Sequence, residues 1–304
     1  MTRWMPRGLV FPSREVAEYP WIRGYAALPF AVPSGPETAR VFFSGRDGRN
    51  RAHIGACTLD LGSMRVKDAD ARPLLSPGAL GGFDDSGCSM SCIVRAENRW
   101  FLYYTGWMLG RTVPFYLAIG LAISEDGGRS FARCSPAPIL ERNSIDPFLT
   151  ASPSVMFEEG RWRMWYVSAI DWQIRNGQPR HRYLIKYAES KDGIAWNRDG
   201  HVAVEFEDDE EYALGRPHVV RTPAGYRMWF CARGDQYRIA CADSPDGLTW
   251  TRQSGDAGPR RQEWDVEMQA YPMVFQDGER WIMLYNGNGY GATGFGYATA
   301  EEEP

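Results

Sequence analysis

The chain repeats one short pattern five times at intervals of about 60 residues, and this repeat restricts the folds open to it. Each copy contains an aromatic run that ends in small or polar residues, and the runs begin at Val41, Phe101, Arg163, Arg227 and Trp281. Another strand-like segment lies about twelve residues before each run, with turn residues such as Glu159-Gly160 between the two. A third strand-like segment follows the run. Short strands joined by tight turns predict antiparallel hairpins.

Three copies of the repeat end in a Ser-x-Asp-Gly turn followed by an aromatic residue. The copies are SEDGGRSF (124–131), SKDGIAW (190–196) and SPDGLTW (244–250). Ser and Asp side chains bond to turn amides and glycine accepts a positive φ, so the motif predicts a turn whose aromatic ring packs between neighbouring sheets. A calcium or substrate site at Asp126, Asp192 or Asp246 is the alternative interpretation.

Four strands per unit in five units predict an all-β fold: a five-bladed β-propeller with four-stranded antiparallel blades. The prediction is one domain spanning residues 1–304, with blades at about 21–75, 83–141, 146–206, 212–258 and 264–300 plus 4–11. The fifth unit lacks an outer strand, and the offset from Trp4 to Gly8 repeats that from Trp196 to Gly200. The N-terminal strand is therefore expected to complete the last blade. No segment has the 3.6-residue apolar period of a helical solenoid.

Charge and composition exclude several classes of protein. The 304 residues carry 34 basic and 38 acidic side chains, a net charge of −4, which argues against nucleic-acid binding through bulk charge. No apolar stretch approaches a membrane span, and residues 1–16 do not resemble a secretory signal, so we expect a cytoplasmic protein without membrane partners. The six cysteines form no CxxC pair, which favours buried free thiols and predicts no metal site and no cofactor.

In a propeller the innermost strands line a central channel, where loops from every blade converge on one pocket. Glycoside cleavage needs a proton donor and a second carboxylate, and separate blades offer Asp85, Asp146 and Glu267 as catalytic candidates. Each has a structural alternative: Asp85 follows a Gly pair and Asp146 precedes a proline, as turn residues do, while Glu267 lies in an acidic, solvated stretch.

Further polar and aromatic residues fall at the same end of the predicted blades and are candidates for binding substrate. They are Arg23, Arg46, Asp47, Arg51, Trp107, Asp171, Trp172, Arg216, His218, Tyr271 and Asn286. Arginine and histidine beside a carboxylate would hold an anion such as phosphate, a sugar carboxylate or a nucleotide. Trp107 and Trp172 occupy equivalent places in blades two and three, where they are stacking platforms or packing residues.

The segment SPSVMFEEGRWRMWYVSAID (152–171), with its SKDGIAW turn, resembles the five-bladed propellers of glycoside hydrolase families 32, 43, 68 and 130. These include arabinan- and fructan-acting enzymes and mannoside phosphorylases. The resemblance implies a blade-one carboxylate as base or nucleophile, an Asp in a following blade that tunes it, and a later Glu as proton donor. Asp85 or Asp146 matches the second position, and Glu267 is a candidate donor one blade later than the family pattern.

The sequence departs from that pattern in blade one, where residues 21–25 contain no Asp and only Asp47, from a neighbouring loop, could substitute. The resemblance then favours a phosphorylase-like member that needs one acid and binds inorganic phosphate. Its candidate phosphate ligands are Arg46, Arg51, Arg216 and His218.

Two hypotheses of function follow. The first is an enzyme that cleaves or transfers a glycosyl unit, a glycosidase or phosphorylase, with a small carbohydrate or glycoside as partner and phosphate as a candidate second substrate. The alternative is a non-hydrolytic relative that binds a sugar or nucleotide-sugar in glycan or glycosylated-metabolite biosynthesis. A protein scaffold would instead expose large apolar patches. A sialidase is disfavoured because that fold uses six repeats.

Overall fold

The computed structural model describes residues 3–16 and 19–301, and the regular secondary structure within these ranges is almost entirely β-strand. The strands fall into five successive groups. Groups one and two comprise β2 (Gly24–Gly35), β3 (Thr38–Arg46), β4 (Ala52–Asp60) and β5 (Arg65–Ala69), then β6 (Gly87–Ala96), β7 (Arg99–Leu109), β8 (Phe115–Ser124) and β9 (Ala132–Arg133). Alternating apolar residues and tight turns explain these hairpins.

The remaining groups repeat this order. Group three comprises β10 (Thr150–Glu158), β11 (Arg161–Arg175), β12 (Gln178–Ser190), β13 (Trp196–Asn197) and β14 (Val202–Val204). Group four comprises β15 (Ala213–Thr222), β16 (Gly225–Arg233), β17 (Tyr237–Ser244) and β18 (Thr251–Arg252). Group five comprises β19 (Ala270–Asp277), β20 (Arg280–Asn286), β21 (Gly294–Ala300) and the N-terminal β1 (Met5–Pro12). Helical segments are short: α1 (Ser13–Val16), a 3-10 turn (Glu263–Asp265) and α2 (Asn288–Gly291).

Strand pairing within each group is antiparallel, and the groups are joined only weakly by backbone bonds. A single parallel bridge between Ala52 and Gly87 links groups one and two, and another between Tyr183 and Ala213 links groups three and four. Group five forms a separate sheet in the order β1-β21-β20-β19, in which Met5 lies opposite Thr299. The N-terminal strand is therefore the outer strand of the last group.

The first strand of each group, called here the inner strand, contacts the inner strands of two other groups. Contacts run from β2 to β6, from β6 to β10, from β10 to β15, from β15 to β19 and from β19 back to β2. Each inner strand therefore contacts the inner strands of the groups before and after it, and that of group five also contacts that of group one.

Aromatic side chains fill the space between adjacent groups. An aromatic residue before or on the outer strand of one group packs against an aromatic residue on the second strand of the preceding group, with ring centroids 6.0–6.3 Å apart. The pairs are Phe131 with Phe42, Trp196 with Tyr103, Trp250 with Trp165 and Trp4 with Trp229. The prediction that the aromatic rings of the motif pack between sheets is confirmed. Trp4, which precedes the N-terminal strand, packs against the preceding group in the same way.

The Ser-x-Asp-Gly motif forms the predicted turn. In the group-three copy the Asp192 carboxylate accepts hydrogen bonds from the amides of Ile194 and Ala195, both at 2.8 Å, and from the Ser190 hydroxyl at 2.9 Å. Gly193 has a φ of 73°, the left-handed region that favours glycine. Because the carboxylate oxygen is already used by the turn itself, the motif is a structural element.

Five of the six cysteines are buried free thiols, as predicted, whereas Cys134 is exposed. Cys134 lies just after β9, a two-residue strand at the outer edge of group two that leaves its neighbours open to solvent. Among the described helices, none has the length and apolar character needed to cross a membrane.

Candidate functional site

Five equivalent residues, one from each inner strand, meet at one cavity. Each lies at, or directly beside, a bulge that interrupts the pairing of the inner strand with the second strand. These residues, called here the axial residues, are Leu28, Met90, Ser152, Arg216 and Tyr271, and all five line the same cavity. The bulges therefore bring chemically different side chains to one central point.

Four of the bulges are built in the same way. Leu28, Ser152, Arg216 and Tyr271 have φ values between 46° and 60°, and each is followed by a proline. Proline has no N–H group, so an unpaired bulge position leaves no donor unsatisfied there. The sequence signal for these four positions is therefore an X-Pro pair within an inner strand.

Side chains of the second strands connect these bulges across the group boundaries. The amide of Leu28 donates to Asn286 Oδ1, that of Met90 to Ser44 Oγ and that of Ser152 to Thr105 Oγ1, each at 2.8 Å. The amide of Tyr271 lies 3.0 Å from Cys231 Sγ. The residue of group three that corresponds to Cys231 is Val167, whose side chain has no hydrogen-bond acceptor. These four bonds tie groups one, two, three and five to the preceding group at the cavity floor.

The cavity has two connected parts. The inner chamber, of about 100 Å³, lies against the ring of axial residues, and the outer chamber, of about 330 Å³, opens above it. Both are lined by Leu28, Ser89, Trp107, Phe115, Tyr183, Tyr237 and Tyr271. Aromatic rings dominate the walls, and Trp107 donates its indole N–H to Ser89 Oγ at 2.8 Å. The combined space is in the range of small-ligand sites.

Arg216 is the only cation among the described residues that line the inner chamber, and only 1% of its surface is exposed. Its Nη1 donates to the Ser91 carbonyl, while Nε and Nη2 have no hydrogen-bond partner within the described structure. Burial lowers the pKa of the guanidinium to about 10, so it remains charged at neutral pH. The floor of the cavity therefore holds a buried positive charge without a carboxylate partner among the described residues.

Two further arginines line the outer chamber. The Arg46 guanidinium lies 4.2 Å from the centre of the Tyr25 ring, and that of Arg233 lies 4.9 Å from the centre of the Tyr237 ring. Tyr290 of α2 completes this wall. Stacking on aromatic faces holds each guanidinium in place and leaves its charge uncompensated by a carboxylate of the described cavity lining.

His181 is a neutral polar group in the outer chamber. Its ring stacks on Tyr183 with centroids 4.5 Å apart, and its Nε2 is buried without a hydrogen-bond partner in the described structure. Burial first, and then the charges of Arg233 and Arg180, lower its pKa to about 4. The imidazole is therefore uncharged at neutral pH.

The three predicted catalytic carboxylates do not line either chamber. Asp146 is fully buried and pairs with Lys186 Nζ at 2.9 Å and Arg198 Nη1 at 2.8 Å. Burial alone would raise its pKa, but hydrogen bonds from Ser168 and Lys186 hold that pKa below its usual value. Asp85 accepts from the Gly81 amide at 3.0 Å, as a turn residue does. No Asp or Glu lines the chambers within the described part of the protein.

Glu267 differs from the other two carboxylates in its exposure. It is exposed, and its backbone amide donates to Asn288 Oδ1 at 2.9 Å. Asn288 begins α2, the segment that carries Tyr290 into the wall of the outer chamber. Glu267 is therefore linked through its backbone to the segment that carries a residue of the cavity wall.

Among the predicted binding residues, Arg46, Trp107, Arg216 and Tyr271 line the cavity. The others lie outside its lining, and most have structural partners. Asp47 pairs with Arg51 and His53, Asp171 with Arg182, and Trp172 packs its ring against Phe115 and His181. Arg23 is exposed, His218 is buried against the Val274 carbonyl, and Asn286 bonds to the Leu28 amide and the Ala26 and Gly294 carbonyls.

Sequence reasoning missed several lining residues: Phe115, His181, Tyr183, Tyr237 and Tyr290. A signal was present for two of them. The third strands YLIKYAES and YRIACADS both begin with tyrosine, at Tyr183 and Tyr237. Their hydroxyl groups lie 2.9 Å apart, so equivalent positions of adjacent groups meet at the cavity wall.

Solved structures that include glycoside hydrolases share this fold. A solved complex of BT0996 with RGII superposes with a TM-score of 0.74 at 16% identity, covering 100% of this protein and 93% of that one. A structure from glycoside hydrolase family 130, concerned with β-1,2 mannosidic linkages in Candida mannan, gives a TM-score of 0.71 at 14% identity, covering 98% and 93%. A thermostable family-43 glycoside hydrolase gives 0.68 at 17% identity, covering 92% and 89%. The protein therefore has the β-propeller fold of glycoside hydrolases, and the resemblance inferred from the sequence is confirmed for the fold.

The relatives at higher identity are mycobacterial. The chain is 44% identical over 302 residues to the uncharacterized protein Rv1502 of Mycobacterium tuberculosis, covering 98% of this chain and 99% of that protein. The uncharacterized protein MT1551 of a second strain has the same identity and coverage. The chain belongs to the family of these proteins. No family model matches it.

Proposed function

We propose that the five strand groups are the blades of one closed five-bladed propeller, a single domain in which β1 completes the last blade. The circular order of contacts between inner strands supports closure, since β19 contacts β2 as well as β15. The antiparallel pairing of β1 with β21 supports the assignment of the N-terminal strand. The cavity then lies on the propeller axis, where this architecture places ligand sites.

We propose that the protein binds a glycosyl group of a carbohydrate in this cavity, and that it does not hydrolyse glycosides through a carboxylate pair. One observation carries the proposal: the walls consist of aromatic rings, hydroxyl groups and arginines, and no carboxylate lines them within the described residues. A glycosidase of the usual kind needs two carboxyl groups about 5–9.5 Å apart across the scissile bond. The protein is thus a carbohydrate-binding relative of the propeller glycosidases, a role suited to glycan or glycosylated-metabolite biosynthesis in the cytoplasm.

The wall chemistry suits a sugar ring. Trp107 and Phe115 offer apolar faces for the C–H groups of a pyranose, while Ser89, Thr105 and Ser152 offer hydroxyls that donate and accept. Similar solved structures include the RGII complex and the structure concerned with mannosidic linkages, and this likeness supports a carbohydrate as the ligand.

A second candidate function is phosphorolysis of a glycoside, with Glu267 as the single acid. Arginines on the cavity wall favour it, because phosphate binds well to guanidinium groups. In this candidate Arg46 and Arg233 hold phosphate in the outer chamber, and Glu267 is the acid that acts on the leaving group. Asp85 and Asp146 keep structural roles in both candidates, since a turn amide and two buried cations already occupy them.

A combined binding and turnover assay tests the two candidates. We expect calorimetric titration with methyl glycosides and short oligosaccharides to find a saccharide that binds, and aryl glycosides to release no phenol without phosphate. Phosphate-dependent release that is lost in Glu267→Gln but kept in Glu263→Gln, a matched exposed glutamate of the same loop, would establish phosphorolysis. Phosphate-independent release that survives Glu267→Gln would contradict both candidates.

A further inference from the structure

The floor of the inner chamber contains a charge that nothing in the described protein neutralises. Arg216 reaches from β15 to the Ser91 carbonyl of β6, and its Nε and Nη2 groups remain without partners among the described residues. The groups that would favour its charge if they were ionised are the Cys92 and Cys231 thiols and the Tyr271 phenol. Burial raises the pKa of both thiols to about 12 and that of the phenol well above its usual value, so all three are neutral.

A buried, unpaired guanidinium is unfavourable because burial removes water that would otherwise solvate the charge. Such groups are retained where a ligand supplies the missing negative charge. Nε–H and Nη2–H form the edge of guanidinium that binds a planar carboxylate through two parallel hydrogen bonds. Both unpartnered atoms of Arg216 belong to this edge.

We propose that Arg216 binds the carboxylate of an acidic sugar, a residue of the uronic acid class, at the floor of the inner chamber. The inference rests on the proposed function, because it assumes that the cavity binds a glycosyl group. It assigns the orientation of that group: the acid faces Arg216, and the ring lies towards Trp107 and the outer chamber.

Charge balance and size favour a carboxylate over a phosphate at this point. Arg216 is the single cation in the described lining of the inner chamber, whereas Arg46 and Arg233 line the outer chamber. A carboxylate carries one negative charge and neutralises Arg216, whereas a phosphate monoester carries close to two at neutral pH. The additional charge would lie in a space of about 100 Å³ walled by Leu28, Met90 and other apolar groups.

Hydroxyl groups that line the same chamber as Arg216 can complete the recognition. Ser152 is the axial residue of the adjacent group three, and its amide donates to Thr105 Oγ1. Ser89 Oγ accepts the Trp107 indole N–H and retains a proton to donate. A carboxylate or an adjacent ring hydroxyl of the ligand could accept that proton.

Calorimetric titration of the full-length protein tests the proposal. The probes are methyl glucuronide and methyl galacturonide, the matched methyl glucoside and galactoside, glucose 6-phosphate and inorganic phosphate. We expect at least one uronide to bind at least about 10-fold more tightly than its neutral counterpart, since each charge-assisted hydrogen bond contributes a factor of this order. In Arg216→Met we expect that preference to disappear while the neutral glycoside keeps its affinity within about twofold.

Two variants control for a purely structural effect. Arg216→Lys keeps the charge but loses the bidentate edge, so we expect it to fold and to retain only part of the preference. Arg221→Met removes an exposed cation of the same strand, β15, outside the cavity lining, and should leave the ratio of uronide to neutral affinity unchanged. Each variant is compared with wild type by circular dichroism and by the rise in melting temperature that the uronide produces.

The possible failures are distinguishable. If neutral glycosides bind but uronides bind no more tightly, or if Arg216→Met keeps the preference, the acidic-sugar inference is overturned and the proposed function stands. Tighter binding of glucose 6-phosphate than of either uronide would show that the site prefers a phosphate to a carboxylate, and it would overturn the acidic-sugar inference. If no saccharide binds to wild type, the proposed function fails, and this inference fails with it.

Discussion

At the scale of single residues, the side-chain chemistry of the cavity floor varies while the backbone that carries it stays the same. The five axial positions share one bulge location but carry an aliphatic chain, a thioether, a hydroxyl, a guanidinium and a phenol. One substitution at such a position changes the charge at the centre of the molecule without altering the strand that carries it. This separation explains how one fold serves unrelated activities, and it makes Arg216 the residue that most defines this site.

His218 gives a pH-dependent prediction at the same scale. Burial first, and then the nearby Arg216 charge, lower the pKa of His218 to about 4, while its ring bonds to the Val274 carbonyl at 2.7 Å. Between about pH 6.5 and 4 the unfolded chain binds a proton that the folded protein does not, so the free energy of unfolding falls as pH falls through this window. Above that window the histidine has no such effect.

We expect this residue to account for about 2 kcal/mol of lost stability between pH 7 and 4.5. Urea unfolding at the two pH values should show a smaller loss in His218→Gln, whose amide can still donate to Val274. His201→Gln, at an exposed histidine, is the control and should behave like wild type. Equal losses in all three proteins would show that His218 titrates normally.

At the scale of elements, the Ser-x-Asp-Gly turn holds neighbouring groups together through its glycine. Gly193 lies beneath the rings of group two and group three: the Tyr103 hydroxyl donates to its carbonyl at 2.8 Å. A Cβ atom on Gly193 would lie 2.8 Å from the Tyr103 hydroxyl oxygen and 2.9 Å from Trp162. The turn therefore needs glycine for its φ and also for the space.

Gly193→Ala and Gly160→Ala form a matched pair that separates these two reasons. Both glycines have a φ of 73°, but a Cβ atom on Gly160 would meet nothing within 4 Å. We expect Gly160→Ala to lower the free energy of unfolding by about 1 kcal/mol, from backbone strain alone. Gly193→Ala should lower it by about 1–3 kcal/mol more because of overpacking. Equal effects in denaturant titrations would show that Gly193 does not pack tightly between the groups.

At the scale of the whole molecule, the sequence predicts the architecture better than the site. The repeat gives strand order directly, because each copy obeys local turn and packing rules, and the Trp4 to Gly8 offset gives the place of β1. Site residues depend on partners far away in the chain. Asp146 is neutralised by Lys186 and Arg198, which follow it by 40 and 52 residues, and no local sequence pattern predicts that pairing. Arg216 is predicted as a binding residue because it lies on the inner strand of the fourth repeat.

The proposed closure of the five groups gives a prediction for the molecule as a unit. Deleting residues 1–12 removes β1, exposes the edge of β21 and takes away the buried side chains of Trp4, Val10 and Phe11. Each such side chain contributes about 1.5–3 kcal/mol, so the melting temperature should fall by about 10 °C or more. Met5→Ala, at an exposed position of the same strand, should change it by less than about 2 °C.

A synthetic peptide of residues 1–12 should restore part of the lost stability when added to the truncated protein, because β21 offers a free edge for strand addition. Differential scanning calorimetry with increasing peptide measures this rescue as a rise in melting temperature. If the truncated protein melts at the wild-type temperature, β1 is dispensable and group five does not need an outer strand to meet group one. Rescue by the peptide would instead show that the ring is held closed by a strand from the opposite end of the sequence, so that the cavity depends on contacts spanning its whole length.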